Sequence, residues 1–296
     1  MGGPIALNLR AAGHALVVND RRHQMAARHT AAGAHFVDSP REVSATADVV
    51  FTSLPRPQDV EDIAGELLKG FKAGSTWIDL TTNSPTVVQR LERRCATAGV
   101  EMLDAPVSGG PRGAASGQLA IWVGGKPEVF ERHRVLLGAI ADDVRYIGPI
   151  GTGLIAKLVN NCAHYTIQTA LAEAFTLGVK AGVEPLALWS ALRQGSSGRM
   201  RTFDRLGRHF LQGVFDPPDF ALNLAHKDVT LATELARELR VPMRVGEVTH
   251  AELTEALSRG WGERDSRVAM LLQEERAGVE IKVRRDEIAA VLANDQ

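Results

Sequence analysis

"MGGPIALNLRAAGH", residues Met1–His14, reads as an amphipathic helix from its second residue onward. Pro4 suits a first helical position, where its missing N–H has no intrahelical partner. Ile5, Leu7 and Leu9, with Ala6 and Ala12, are its apolar residues, and Gly13 is a good helix stop. Directly after it comes a β-like run, "HALVVN" (His14–Asn19), closed by Asp20 and Arg21. A chain that opens in this way opens on what looks like the second piece of a fold.

Outward from there the pattern repeats. Further β-like runs are "AHFV", "DVVFTSL", "STWIDL", "VEMLDA", "LAIWVGG" and "DVRYIG", with amphipathic stretches between them such as Pro57–Lys69 and Pro85–Ala98. Alternating strand and helix means βαβ units and a mostly parallel sheet, and runs apolar on both faces suit a sheet covered on both sides. After Gly148 the strand signals stop. A long helical pattern runs from Thr152 to about Ala181, followed by Pro185–Arg193, Phe220–Leu239, Val245–Ser258 and Ser266–Glu275. The expected architecture is an α/β Rossmann-type domain over 1–149 and an all-α domain over 150–296, with "GPIGTG" (Gly148–Gly153) as hinge.

Composition narrows the class. Lys+Arg number 34 and Asp+Glu 35, so nothing in the charge balance calls for nucleic acid or an acidic membrane surface. No apolar run reaches the roughly 18 residues of a membrane span, and no basic-then-apolar leader opens the chain. Two cysteines, Cys95 and Cys162, cannot build a disulfide framework and fit a reducing, cytoplasmic setting.

Several stretches carry candidate chemistry. An acidic residue closing the strand after a glycine turn reads the adenosine ribose in dinucleotide folds, and Asp20 stands there; alone such a residue is more often an ordinary strand end. "SLPRP" and "DLTTNSP" follow strands, where ligands of open α/β sheets bind, though their residues also make plain turns. "DAPVSGGPRGAASG" (Asp104–Gly117) is glycine-rich, and bare backbone at Ser108–Gly110 lets N–H groups approach a carboxylate; a surface loop is the bland alternative. In "GTGLIAKLVNN" (Gly151–Asn161), Lys157 and Asn161 are four apart and share one helix face. Lys227 and Asp228 in "NLAHKDVTLATELA" read on their own as an exposed charge pair.

Together these pieces resemble the β-hydroxyacid dehydrogenase family, which includes 3-hydroxyisobutyrate, tartronate semialdehyde and 6-phosphogluconate dehydrogenases. The likeness rests on "MGGPIALNLRAAGH", "DLTTNSP", "DAPVSGG", "GTGLIAKLVNN" and "HKDVTLA" in the family's order and spacing, and it runs from Met1 to about Glu275. It implies that Lys157 is the catalytic lysine and that Asn161 holds the substrate beside it. By the same resemblance Ser108, Gly109 and Gly110 anchor the substrate carboxylate. Leu54, Pro55 and Thr82 line the nicotinamide side, Lys227 contacts the cofactor or closes over the site, and Asn19, Asp20 and Arg21 lie where the family reads the ribose.

The resemblance also implies what the opening lacks. The family's first strand leads into a G-x-G-x-M-G turn, of which this chain holds the last Met-Gly, so Gly2 is the third glycine, the one for close helix–strand packing. The expectation is that the first strand is missing from this chain and that the natural start lies upstream, which N-terminal mass analysis tests. A real truncation is the alternative.

The implied reaction moves a hydride between nicotinamide and a small 3-hydroxy acid, 3-hydroxyisobutyrate-like, with Lys157 as general acid and base. A lysine near its ordinary 10.4 must be shifted towards roughly 7–8 for that work. Asp20 favours NAD, because a carboxylate repels a 2′-phosphate; Arg21 and Arg22 leave NADP open. No metal is called for. The family implies a homodimer or homotetramer through the helical domain. "QGSSGRMRTFDRL" (Gln194–Leu206) is expected to face the site, and Val279–Gln296 reads as a polar terminal helix. The length argues against the decarboxylating 6-phosphogluconate enzyme, and Lys157 against imine reductases, which share the fold. A catalytically silent dinucleotide-binding protein is the reading from a different class.

Overall fold

The computed structural model, which describes residues 1–199, 204–278 and 280–293, opens on helix α1 (Gly2–Ala11). The helix begins two residues before Pro4, so this proline is third in the helix rather than first. It is tolerated because none of the first four helical N–H groups has an intrahelical acceptor. The chain divides into two units, Met1–Ala163 and His164–Gln296.

The first unit holds eight strands, each of the seven expected runs contributing one. They are β1 (Val17–Val18), β2 (His35–Phe36), β3 (Val49–Thr52), β4 (Thr76–Asp79), β5 (Glu101–Asp104), β6 (Val107–Ser108), β7 (Leu119–Gly124) and β8 (Ala141–Gly148). Between them lie α2 (Ala27–Ala31), α3 (Pro40–Thr46), α4 (Pro57–Gly70), α5 (Pro85–Thr97), α6 (Gly110–Ser116) and α7 (Pro127–Gly138), and α8 (Thr152–Lys180) leads out of the unit. Prolines occupy the first position of α3, α4, α5 and α7, where fixed φ and a missing N–H favour helix entry. At α3 the Ser39 hydroxyl accepts the Glu42 N–H (3.2 Å) while Glu42 accepts the Asp38 N–H (3.1 Å), two N-terminal donors satisfied together.

The strands form two sheets. β1 and β2 pair in parallel by themselves, and the other six follow the order β3-β4-β5-β7-β6, with β8 beside β7. Among the described residues β1 is not hydrogen-bonded to β3. β3, β4 and β5 run parallel, but β7 is antiparallel to both β5 and β6. The sheet is therefore less uniformly parallel than the alternating pattern implies. The difference arises because β6 and the short α6 occupy a stretch whose glycines and serines read as loop.

Both faces of the six-stranded sheet are covered. Ile78, Leu103, Leu119 and Ile121 face Ile5 and Leu9 of α1 and Val129, Phe130 and Leu137 of α7. Trp77, Val50 and Met102 face Val60, Ala64 and Leu67 of α4, Val88 and Leu91 of α5, and Leu154 at the start of α8. The alternation of Trp77 and Ile78 between the two layers is the period of two that strand geometry imposes. Every residue of β4 is buried.

The second unit continues from α8 through α9 (Pro185–Gln194), α10 (Ser196–Arg199), α11 (Asp204–Arg208), α12 (Leu222–Leu239), α13 (Arg244–Ser258), α14 (Leu271–Ala277) and α15 (Arg285–Ala293). The pattern read as one helix over Ser266–Glu275 is a 3-10 turn, Ser266–Met270, running into α14. Asp265 is wholly buried and accepts the N–H groups of Asp219, Phe220 and Arg267 together with the Arg267 guanidinium (2.7 Å). His209 Nε2 lies 3.1 Å from Asp219 and 3.6 Å from Asp265, a grouping that sequence spacing does not reveal. No helix among the described residues is long and apolar enough to cross a membrane.

Candidate functional site

The candidate residues of the first unit lie at the carboxyl ends of β3, β4 and β5 and on the first turns of α8. At β4 the carboxylate of Asp79 is wholly buried. One oxygen accepts the Thr52 hydroxyl (2.8 Å) and the Thr81 N–H (3.1 Å), and the other accepts the Asn83 amide (3.3 Å). The Trp77 indole N–H in turn donates to Thr52 Oγ1 (2.9 Å). Burial raises the Asp79 carboxyl above the usual carboxylate range against those donors. The Leu54 N–H donates to Thr81 Oγ1 (3.0 Å), so the "SLPRP" and "DLTTNSP" loops are bonded to each other. Leu54 is half-buried, while Pro55 and Thr82 are exposed on this shared rim.

Ser108, Gly109 and Gly110 lie on the β6–α6 turn. Ser108 pairs with Ala120 of β7, and Gly109 and Gly110 have φ of +123° and +63°, values glycine adopts without strain. Two residues along β7 from Ala120, on the same face, is Trp122. Lys157 of α8 is 9% exposed, and its Nζ lies 5.9 Å from the Trp122 ring centroid. Among the described residues no carboxylate pairs with it, and burial lowers its pKa from the ordinary 10.5. Trp122 is itself about 7 Å, one pleat, along β7 from Ala120, the partner of Ser108. Asn161 is half-buried one turn further along α8, where its Oδ1 accepts from the Asn160 amide (3.3 Å).

α8 is seated firmly at its start. Asp104, wholly buried at the end of β5, accepts the Gly151 N–H at one oxygen (2.6 Å) and the Leu154 N–H at the other (2.8 Å). Burial pushes its carboxyl up to about 6, although both N–H donors favour the anion. Gly153 packs so closely on β7 that a Cβ would overlap the Trp122 carbonyl oxygen.

The remaining candidates lie towards β1. The Asn19 amide donates to Val37 O (2.8 Å), tying the ends of β1 and β2. Asp20 keeps an exposed carboxylate, one oxygen of which accepts the Arg22 N–H (2.8 Å). Arg21, 79% exposed, reaches Asp59 (3.2 Å), which Arg56 also holds (2.8 Å). Gly2 lies against Ser53, and the Arg28 guanidinium covers Gly3 at the α1 N-terminus. A helix N-terminus with a cation beside it and an exposed carboxylate at a strand end fits a dinucleotide's pyrophosphate and ribose. Lys227 stands on α12, and its side chain lies outside the described residues, as do Met200–Phe203 of the "QGSSGRMRTFDRL" stretch.

Asp79, Asp104, Thr52 and Trp122 lie within the strand and loop runs of the sequence without a chemistry that spacing alone marks. Their only sequence signal is position: an aspartate closing each of two strands, and a large aromatic before a Val-Gly-Gly.

Residues 1–148 match the NAD binding domain of 6-phosphogluconate dehydrogenase, and residues 151–292 match the family described as NAD-binding of NADP-dependent 3-hydroxyisobutyrate dehydrogenase. The chain is 32% identical over 284 residues to 2-(hydroxymethyl)glutarate dehydrogenase of Eubacterium barkeri, covering 95% of this chain and 94% of that protein. A solved structure of Mycobacterium tuberculosis 3-hydroxyisobutyrate dehydrogenase with L-serine superimposes with TM-score 0.64 at 29% identity, covering 92% of this chain and 95% of that one. An imine reductase from Pseudomonas sp. superimposes with TM-score 0.80 at 16% identity, over 91% and 94% of the two chains, a likeness of fold.

Proposed function

We propose, for a chain that belongs to the β-hydroxyacid dehydrogenase family and binds NAD(P), the reversible oxidation of a small 3-hydroxy acid to its aldehyde, with 3-hydroxyisobutyrate as the reference substrate. The nicotinamide supplies the hydride exchange when bound. Lys157 takes the hydroxyl proton as the carbon's hydride leaves, and returns it in the reduction. Asn161 hydrogen-bonds the substrate hydroxyl beside it. The backbone at Ser108–Gly110 receives the carboxylate. Asp20 takes the ribose of NAD, with Asn19 fixing the strand end and Gly2 the approach of α1; Leu54, Pro55 and Thr82 form the nicotinamide rim, and Lys227 adds a cation to the cofactor.

The observation that carries this reading is the state of Lys157. A buried lysine with no acidic partner among the described residues is driven towards its neutral form, the form a base requires. Charge on a nicotinamide beside it would act in the same direction. The test is a panel of small 3-hydroxy acids with NAD and with NADP, followed by absorbance. Turnover on 3-hydroxyisobutyrate that falls with Lys157→Ala supports the assignment. Cofactor binding without turnover on any member supports a silent dinucleotide-binding protein. Assembly as a homodimer or homotetramer belongs to the same reading, and light scattering checks it.

A further inference from the structure

We propose that Asp104 is the positioning residue for Lys157: its carboxylate fixes the start of α8 on the sheet and thereby holds the lysine amine against Trp122 and the Ser108 edge. The proposal rests on Lys157 as the acid–base residue. Asp104 accepts the Gly151 and Leu154 N–H groups with separate oxygens, so both the height and the rotation of the first helical turn are set. Lys157 is three residues beyond Leu154, on the neighbouring row of the same helix face and about 4.5 Å up the axis. A rotation of the first turn is therefore passed to the amine with little loss.

Leu154 is wholly buried under the α4 and α5 layer, which resists lifting of the helix but fixes no hydrogen-bond direction. The same carboxylate stands at the root of the Ser108 loop and in register with Gly124 of β7, so one group joins the carboxylate-receiving loop to the helix of the base. The fit admits no slack. A Cβ at Gly124 would overlap Asp104 Oδ1, and one at Gly153 would lie 2.9 Å from Oδ2.

The charge surroundings are simple. Asp79, in register with Asp104 on β4, is the charged side chain that bears on it; β7 presents Gly124 and α8 presents N–H groups. With burial and Asp79 both favouring the protonated form, Asp104 titrates at about 6. Protonation removes one of its two acceptor positions, and the helix start loses a tether. The ionised carboxylate is the form that positions Lys157.

The experiment uses the reduction of 2-methyl-3-oxopropanoate, the aldehyde of 3-hydroxyisobutyrate, by NADH in initial rates from pH 5 to 8. In this direction Lys157 reacts as the ammonium, so its own titration leaves the acid side flat. The wild type is expected to lose rate below about pH 6. Asp104→Asn is expected to lower kcat about 10- to 100-fold, with KM for aldehyde and NADH within about twofold, and to lose the acid limb. In the Lys157→Ala background the same change is expected to cost less than about twofold, because the group it acts through is gone. Equal loss in both backgrounds, a change carried in KM, or an acid limb that survives Asp104→Asn overturns the proposal.

Amide exchange on the wild type, read at Leu154, keeps the matter open to test if Asp104→Asn does not fold. Lifting the first turn alone takes away the two donors that favour the anion while Asp104 stays buried, so protonation favours the lifted turn even though it favours the fold over the unfolded chain. Protection is expected to fall as pH drops from 7 to 5, beyond the intrinsic chemistry, and unchanged protection overturns the proposal. Absence of aldehyde turnover by the wild type instead refutes the proposed function, and the exchange measurement still decides whether Asp104 seats the helix.

Discussion

Gly153→Ala puts a number on the seating of α8. A methyl group at this position would overlap the Trp122 carbonyl oxygen and stand 2.9 Å from Asp104 Oδ2 and 3.0 Å from Gly124 N. Two of these neighbours are backbone in a paired strand, so the helix must move rather than the strand. Overpacking of that kind costs about 1–3 kcal/mol. Lifting the first turn also stretches a hydrogen bond to a charged acceptor, worth about 1.5–3 kcal/mol. Alanine's better helix propensity returns about 1 kcal/mol. The net loss is about 1.5–5 kcal/mol, which for a unit of this size lowers Tm by about 3–20 °C. Gly65→Ala in α4 is the control, because a Cβ there meets nothing within 4 Å. That substitution should stabilise by roughly 0.5–1 kcal/mol, the opposite sign from the same chemical change. Thermal and urea unfolding of the two variants supply the comparison. A Gly153→Ala protein as stable as the wild type, with its helix start unmoved in a crystal structure, refutes the reasoning.

Other outcomes follow from the same geometry. Lys157→Ala should leave a folded protein with turnover lowered by about 10²–10⁴-fold, and near-normal rates would remove the lysine from the chemistry. In the oxidation direction the rate should rise with pH until Lys157 is neutral and level off below its ordinary 10.5, which a pH–rate profile of kcat/KM reads directly. Asp104 is held up to about 6 in the fold against 3.8 in a free carboxyl, so its protonated form favours the folded state. Its contribution to stability is therefore fully present below about pH 4 and lost as pH rises through 6. Asp104→Asn should flatten that part of the stability profile, and an unchanged slope in urea titrations across it would contradict the assignment. Asp265→Ala strands three N–H donors and the Arg267 guanidinium in the second unit, and should cost about 3–5 kcal/mol by denaturant unfolding.

The parts of the fold that repeat locally were legible from residues alone. The seven β-like runs each hold a strand because alternation and β-branched content are short-range properties, and prolines mark five helix starts. β6 and α6 were not, because "VSGGPRGAAS" has loop composition and is organised by pairing with β7, where Val107 meets Ile121 and Ser108 meets Ala120. The lysine, the asparagine and the serine–glycine turn stood out through their spacing in ordered motifs. Asp104 did not, since its partners are 47 and 50 residues away and a strand-ending aspartate has many uses. Trp122 has meaning only once α8 lies across β7. The second unit's His209–Asp219–Asp265 grouping, with Asp219 exposed, brings residues 209–219 against a residue 46 positions further on, which no periodicity encodes.

Asp59 bears on how sharply the protein tells its two dinucleotides apart. Its carboxylate, 2% exposed, is shared between the guanidinium groups of Arg21 and Arg56. A 2′-phosphate reaching for Arg21 competes with Asp59 for it, but releasing Arg21 leaves Asp59 still paired with Arg56. The competition is therefore weak. With Asp20 at the ribose as proposed, exclusion of the phosphorylated dinucleotide would fall to the repulsion of that single carboxylate, so discrimination should be graded rather than absolute, and adjustable by one charge.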